Sequence, residues 1–275
     1  MQQRILSGIV FGVVFIGLGW CGGIWLSLGL GGLLCLAALE FGRLCRAGAF
    51  RLSVMVPAGI GLATLLAITT RLRGETTLAQ VRGVEPILAL SLIVLFMATA
   101  IAEVWRGQTR GALTAAGLTV LAGVYISFPL AYMLMLRSLP GKEGLFYFFL
   151  LTIVTWANDT VAYFAGSAFG RHRLAPSISP KKSVEGSAAG LIASVMAGLI
   201  FAVFWGRNPW PCAGIGLGVG LFGQIGDLFE SIIKRDLGVK DSGNFLPGHG
   251  GVLDRFDSLI FSAPIVYYLA VFLGG

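Results

Sequence analysis

The residues best placed to do chemistry lie in the last fifty of the chain. Asp227, Glu230, Ser231 and Lys234 follow one another at steps of three and four, so a helix through them puts all four on one face. Lys234-Arg235 then stand where a helix C-terminus favours cations. The stretch from Asp236 to Gly251, which holds Lys240, His249, Gly250 and Gly251, is too rich in glycine for a continuous helix. Asp254-Arg255-Phe256-Asp257 opens the next apolar run, with its two carboxylates three residues apart. If the flanking helices pack as a hairpin, Asp227 approaches Asp254 and Asp257. Three carboxylates meeting at a lipid–water boundary repel one another unless they hold a hard cation such as Mg²⁺.

Two upstream segments carry related features. Asp159, in Trp156-Ala157-Asn158-Asp159-Thr160, lies inside an apolar run, where an ionised group costs at least about 2.5 kcal/mol and is paired or functional. A structural pair with a nearby lysine and a role as a further ligand both stay open for it. Ser179-Pro180-Lys181-Lys182-Ser183 leads into a helix start at Glu185-Gly186-Ser187-Ala188, and lysines beside a helix N-terminus suit phosphate. Read alone, that pair is equally a topogenic basic loop. Beside the carboxylates, it completes a site for phosphate and metal.

The elements that must position these groups are membrane helices. The 275 residues are 56% hydrophobic and only 12% charged, with 40 glycines, a composition that suits close helix packing in lipid. A span takes about 20 apolar residues. The uncharged run from Ile5 to Leu39 is too long for one helix and reads as two, turning near Gly22-Gly23. Further spans are expected at 53–70, 86–102, 112–136, 145–168, 187–206, 212–233 and 258–274. The fold class expected is therefore an all-α integral membrane protein of about nine transmembrane helices, counts of eight and ten staying open. The fifth span is generous in length, and a tilt or a break near Pro129 both stay open. The first five spans are aliphatic and read as free of internal charge. Residues 1–275 form one polytopic domain in this reading, 1–140 supplying scaffold and dimerising helices and 145–275 the catalytic helices and loops.

Charge decides orientation. With the N-terminus in the cytosol, 14 of the 20 basic residues fall on the cytosolic side and 6 on the other, as the positive-inside rule requires. That accounts for the net charge of +7 without nucleic acid. Cys21, Cys35, Cys45 and Cys212 form no CxxC pair and read as free, packed thiols.

The segment Ser231-Ile-Ile-Lys234-Arg235-x4-Lys240-Asp241-x-Gly243-x2-Leu246-Pro247-x-His249-Gly250-Gly251-Val252-x-Asp254-Arg255-Phe256-Asp257 resembles the signature of the phosphatidate cytidylyltransferases, the CDP-diacylglycerol synthases. Asn158-Asp159 and Ser-Pro-Lys-Lys are similar to the same family, with Ser183 where threonine is common. The resemblance in motifs covers about 156–257. It implies CTP and phosphatidate as substrates, CDP-diacylglycerol and pyrophosphate as products, dependence on Mg²⁺ with a second cation such as K⁺ in some members, and a homodimer. It also implies Asp227, Asp254 and Asp257 as metal ligands. Lys181, Lys182, Lys234, Arg235 and Lys240 are then expected on phosphates, with Asn158, Asp159, Ser231, Gly250, Gly251 and Arg255 at the substrates. His249 either bonds a phosphate oxygen or simply forms the turn. A multi-pass protein of a bacterial inner membrane, with its site facing the cytosol, is the expected setting.

Three other readings compete. A transporter would also carry mid-span charges, but here they concentrate at one face and no inverted repeat occurs. A CTP-dependent lipid kinase would need a base to activate a hydroxyl. A membrane scaffold would have no use for the glycine loop or the converging acids.

Overall fold

A computed structural model describes residues 2–74, 76–243 and 250–273. His249, and the Leu246-Pro247 of the signature, lie outside the described residues. The chain forms two compact units, Met1–Gly144 with Asp236–Arg255 and Leu145–Arg235 with Phe256–Gly275.

In the first unit, α1 (Gln2–Cys21) and α2 (Gly23–Ala47) are separated at Gly22 and Gly23, whose φ angles of 64° and 47° only glycine adopts without strain. The turn is held from below by Arg137, whose Nε donates to the Gly19 carbonyl at 2.5 Å and whose Nη2 donates to that of Trp20 at 2.8 Å. These carbonyls at the end of α1 have no helical partner, so the guanidinium caps them. Next come α3 (Met55–Arg71), the short α4 (Leu78–Arg82) and α5 (Glu85–Arg106). Before Pro129 the span breaks at a π-turn, Gly123–Ser127, joining α6 (Ala112–Ala122) to α7 (Phe128–Arg137). The Phe128 N–H reaches back to Gly123, which shifts the ladder ahead of the proline that cannot donate to it. Interhelical hydroxyl bonds tie this bundle, Thr64 to Ser91 and Thr69 to Ser27, each at 2.7 Å.

One expectation fails here. Helix α2 runs past Leu39 to Ala47 and carries Glu40, which is buried, so the first five spans are not free of internal charge.

The second unit is built on α8 (Glu143–Phe169, from Leu145), α9 (Val184–Phe204), α10 (Pro209–Asp236, to Arg235) and α11 (Leu253–Leu273, from Phe256). It also holds a small antiparallel hairpin that an all-α reading lacks, β1 (Arg173–Ala175) and β2 (Ser179–Ser183), paired Arg173 to Ser183 and Ala175 to Ser179. Small residues recur every fourth position on three helices: Ala162, Gly166 and Gly170; Gly186, Gly190, Ser194 and Gly198; Cys212, Gly216 and Gly220. They face each other. Gly190 sits against Asn158 and Ala162, and Gly216 against the Ser194 backbone. Further along α10, Gly223 and Gly226 meet α11, Gly223 against Ser258 and Gly226 against the Asp257 carbonyl. In lipid, where apolar surface alone gives no preference for helix contact, such close approach supplies the packing.

Among the described residues, seven helices are long and apolar enough to cross a membrane, and two shorter apolar ones lie at Gly8–Cys21 and Met55–Arg71. None of the four cysteines is in a disulfide.

The packing predicts a contrast between two neighbours on α10. A Cβ at Gly216 would stand 3.0 Å from the Ser194 carbonyl carbon and 3.2 Å from the Val195 Cα, whereas one at Gly214 meets nothing within 4 Å. Gly216→Ala is expected to destabilise by about 1–3 kcal/mol, and Gly214→Ala by no more than about 0.5 kcal/mol, in thermal unfolding of the detergent-solubilised protein.

Candidate active site

In the second unit the acidic residues gather. Asp257 is buried, and the carboxylates of Asp227, Glu230 and Asp159 lie near enough to act on it electrostatically. Two lysines enter the same group. Lys182 Nζ stands 2.5 Å from Asp227 Oδ2, and Lys234 Nζ donates to Glu230 Oε2 at 2.9 Å. Four carboxylates and two ammonium groups thus meet where α8, α10 and α11 come together.

Each group is held by local structure. Lys182 is delivered by β2, where side chains alternate, so Lys182 turns toward Asp227 while Lys181 is exposed. The hairpin itself is anchored at both ends. Glu185 accepts from the Arg171 N–H at 3.1 Å and from His172 Nδ1 at 2.6 Å, while the Ser183 hydroxyl accepts from the Gly186 N–H at 3.1 Å as the cap of α9. The hairpin's turn is met by Arg235, whose Nε donates to the Ile178 carbonyl at 3.2 Å. Ser231 is buried one residue after Glu230.

Asn158, expected at the substrates, is held within the helix bundle. It is 1% exposed, its Oδ1 accepts from Gln224 Nε2 at 3.0 Å and Ser194 Oγ at 3.3 Å, and its Nδ2 donates to Asp159 Oδ1 at 2.9 Å. The amide ties α8 to α9 and α10, and it orients the neighbouring acid. Gln224 also donates to the Ser187 carbonyl at 3.0 Å.

In the first unit, Glu40 and Asp254 hold the glycine-rich loop. Asp254 Oδ2 accepts from the Gly251 N–H at 2.7 Å, the Ser242 hydroxyl at 2.9 Å and the Ser242 N–H at 3.0 Å. Gly250, at φ 87°, supplies the turn that brings this about. Glu40 accepts from the Val252 N–H at 2.9 Å and the Leu253 N–H at 3.1 Å, the first amides of α11, and from the Ser242 hydroxyl at 3.3 Å. It is an N-cap supplied from 212 residues away. A Cβ at Gly251 would come 2.7 Å from Glu40 Cδ, so a side chain there would displace the Glu40 carboxylate. Lys240 and Arg255 are exposed. Among the described residues, no three of the His, Cys, Asp and Glu side chains form a group that could hold a metal by themselves.

Residues 2–273 match the model of the Cytidylyltransferase family. The chain belongs to that family. Members similar to it along their whole length include the phosphatidate cytidylyltransferase of Bacillus subtilis (strain 168), 36% identical over 272 residues, covering 98% of this chain and 97% of the relative. The protein of the same name from Staphylococcus aureus (strain COL) is 34% identical over 273 residues, covering 98% and 99%. That of Staphylococcus epidermidis (strain ATCC 35984) is 33% identical over 274 residues with the same coverage. Family membership therefore extends through the N-terminal half, where the motif resemblance was silent. The family signature from Ser231 to Asp257 runs through both units.

Glu40 is the functional residue that reading the sequence missed. Its signal was present, since no other acid occurs before Glu75. Glu40→Ala is expected to raise the hydrogen-exchange rate of the Val252 and Leu253 amides about tenfold or more, by removing a charged acceptor worth about 1.5–3 kcal/mol. Glu40→Gln is expected to restore part of that protection.

Proposed function

We propose that this chain transfers the cytidylyl group of CTP to phosphatidate, giving CDP-diacylglycerol and pyrophosphate, at the cytosolic face of a bacterial inner membrane. The gathering of Asp159, Asp227, Glu230 and Asp257 with Lys182 and Lys234 carries the reading. Membership of the cytidylyltransferase family and full-length similarity to proteins named phosphatidate cytidylyltransferase support it. The cytosolic placement, with the N-terminus inside, rests on the distribution of basic residues.

The acids fit a Mg²⁺ ion. Magnesium is usually held by one or two carboxylates plus phosphate oxygens and waters, not by a full protein cage, and Asp227 and Asp257 suit that role. Asp254, the third ligand that the motif implies, shares its carboxylate with the loop amides. When bound, the metal would neutralise charge on the triphosphate and on the departing pyrophosphate. A second cation such as K⁺ would find the remaining acids.

The chain's own residues then have defined work. The phosphate of phosphatidate, whose second ionisation lies near about pH 6, reaches the site largely as a dianion and needs no general base. Its oxygen forms a bond to the α-phosphorus of CTP as the bond from that phosphorus to the bridging oxygen breaks, and pyrophosphate leaves. Like charges oppose this approach. Lys182 and Lys234, both already placed against carboxylates, lower that cost by turning to phosphate oxygens, with Lys181 and Arg235 as further phosphate contacts. Asn158 keeps Asp159 oriented through its 2.9 Å hydrogen bond.

Labelled CTP tests the reading. With purified protein, phosphatidate and Mg²⁺, label at the α-phosphate is expected in the lipid and label at the γ-phosphate in pyrophosphate. Asp257→Asn is expected to lower this transfer on the order of 10²-fold while membrane insertion is kept. Label from the γ-phosphate in lipid would make the protein a lipid kinase and overturn the proposal.

A further inference from the structure

The first unit holds a second concentration of charge that the reaction above does not use. The connection 48–54 between α2 and α3 lies against the connection 107–111 between α5 and α6. Arg51 Nη1 donates to Gln108 Oε1 at 2.6 Å, and the Ser53 N–H donates to the Thr119 hydroxyl at 3.1 Å. Between them is an open cavity of about 1050 Å³ lined by Arg46, Arg51, Arg106 and Arg110. Glu103 is the one acid among the lining residues, and Arg106 Nη1 meets its Oε1 at 2.5 Å.

Guanidinium groups stay charged at any physiological pH, and four of them around one concave space with a single acid among them favour an anion. Their planar forks match the oxygens of a phosphate two at a time. The walls beside the cavity specify what carries that phosphate. Val104 and Trp105, at the end of α5, are 76% and 86% exposed, and Leu113, at the start of α6, is 88% exposed. Large apolar side chains so exposed at helix ends belong in the outer layer of a bilayer, with tryptophan at the headgroup level. A charged cup thus opens beside apolar surface of the kind that acyl chains cover. A topogenic role alone needs basic residues in these loops, but neither a cavity nor a hydrogen bond closing one loop on the other.

We propose that this cup binds the phosphate of an anionic phospholipid, with the acyl chains lying along Trp105 and Leu113. The site is separate in its residues from the carboxylate cluster, and its occupant is a membrane lipid, not soluble phosphate.

Trp105 supplies the readout, as the fluorescence difference between the wild-type protein and Trp105→Phe in phosphatidylcholine nanodiscs. Brominated phosphatidylglycerol is expected to quench this signal at about one-fifth or less of the mole fraction that brominated phosphatidylcholine needs. R51Q/R110Q is expected to abolish that preference while leaving quenching by brominated phosphatidylcholine unchanged, which shows the helix ends intact. R51K/R110K, with the same charge but without the forks, should fall between. Inorganic phosphate and CTP should leave the preference in place. Equal quenching by the two lipids, or a preference that survives in R51Q/R110Q, would refute the proposal. Loss of the preference in millimolar phosphate or CTP would assign the cup to a soluble phosphate and overturn the lipid assignment. The assay involves no turnover, so its outcome is independent of the cytidylyltransferase reading.

Discussion

Carboxylates brought together at the ends of apolar helices must be answered by positive charge. Asp257 is buried and faces three more acids, at a depth where water screens poorly and like charges are costly. Lys182 and Lys234 answer part of that demand. Such ion pairs are poor devices for stability, because taking both partners out of water costs about what their attraction returns. Their presence makes sense where a substrate is to bring phosphates, and with them a metal. The ammonium groups then have acids to leave and phosphates to meet.

The rest of the structure serves that concentration of charge. Helices bearing acids can face one another only if their backbones come close, and the four-residue runs of glycine, alanine and serine on α8, α9 and α10 allow it. The same feature lets Asn158 hydrogen-bond to two other helices while it aims Asp159. The hairpin before α9 turns Lys182 inward and leaves Lys181 out. In the first unit, Glu40 and Asp254 do for the glycine loop what the small residues do for the helices. They collect its amides into a defined shape at the start of α11.

Much of this was legible in order along the chain. Apolar runs marked the helices, Gly22-Gly23 the first turn, and Pro129 the place where α6 gives way to α7 through a π-turn. The signature between Ser231 and Asp257 pointed to the family that the whole-chain comparison shows. What escaped depends on distant partners. Glu40 stands just past the uncharged run that ends at Leu39, and the amides it caps lie over 200 residues on. The bonds of Asn158 to α9 and α10 likewise cannot be inferred from α8. The hairpin was too short, and too polar beside Pro180, to stand out among helices. The arginines of the first unit were read as orientation signals, for their cavity exists only when two loops meet.

If the acids of the second unit hold a divalent cation together with the nucleotide, as proposed, its affinity depends on them. Mn²⁺ in place of Mg²⁺ allows this to be measured directly by electron paramagnetic resonance of the solubilised protein with CTP and without phosphatidate. The account predicts a protein-bound Mn²⁺ signal whose affinity falls about tenfold or more in both Asp227→Asn and Asp257→Asn. Undiminished binding with an unchanged spectrum in both variants would contradict it.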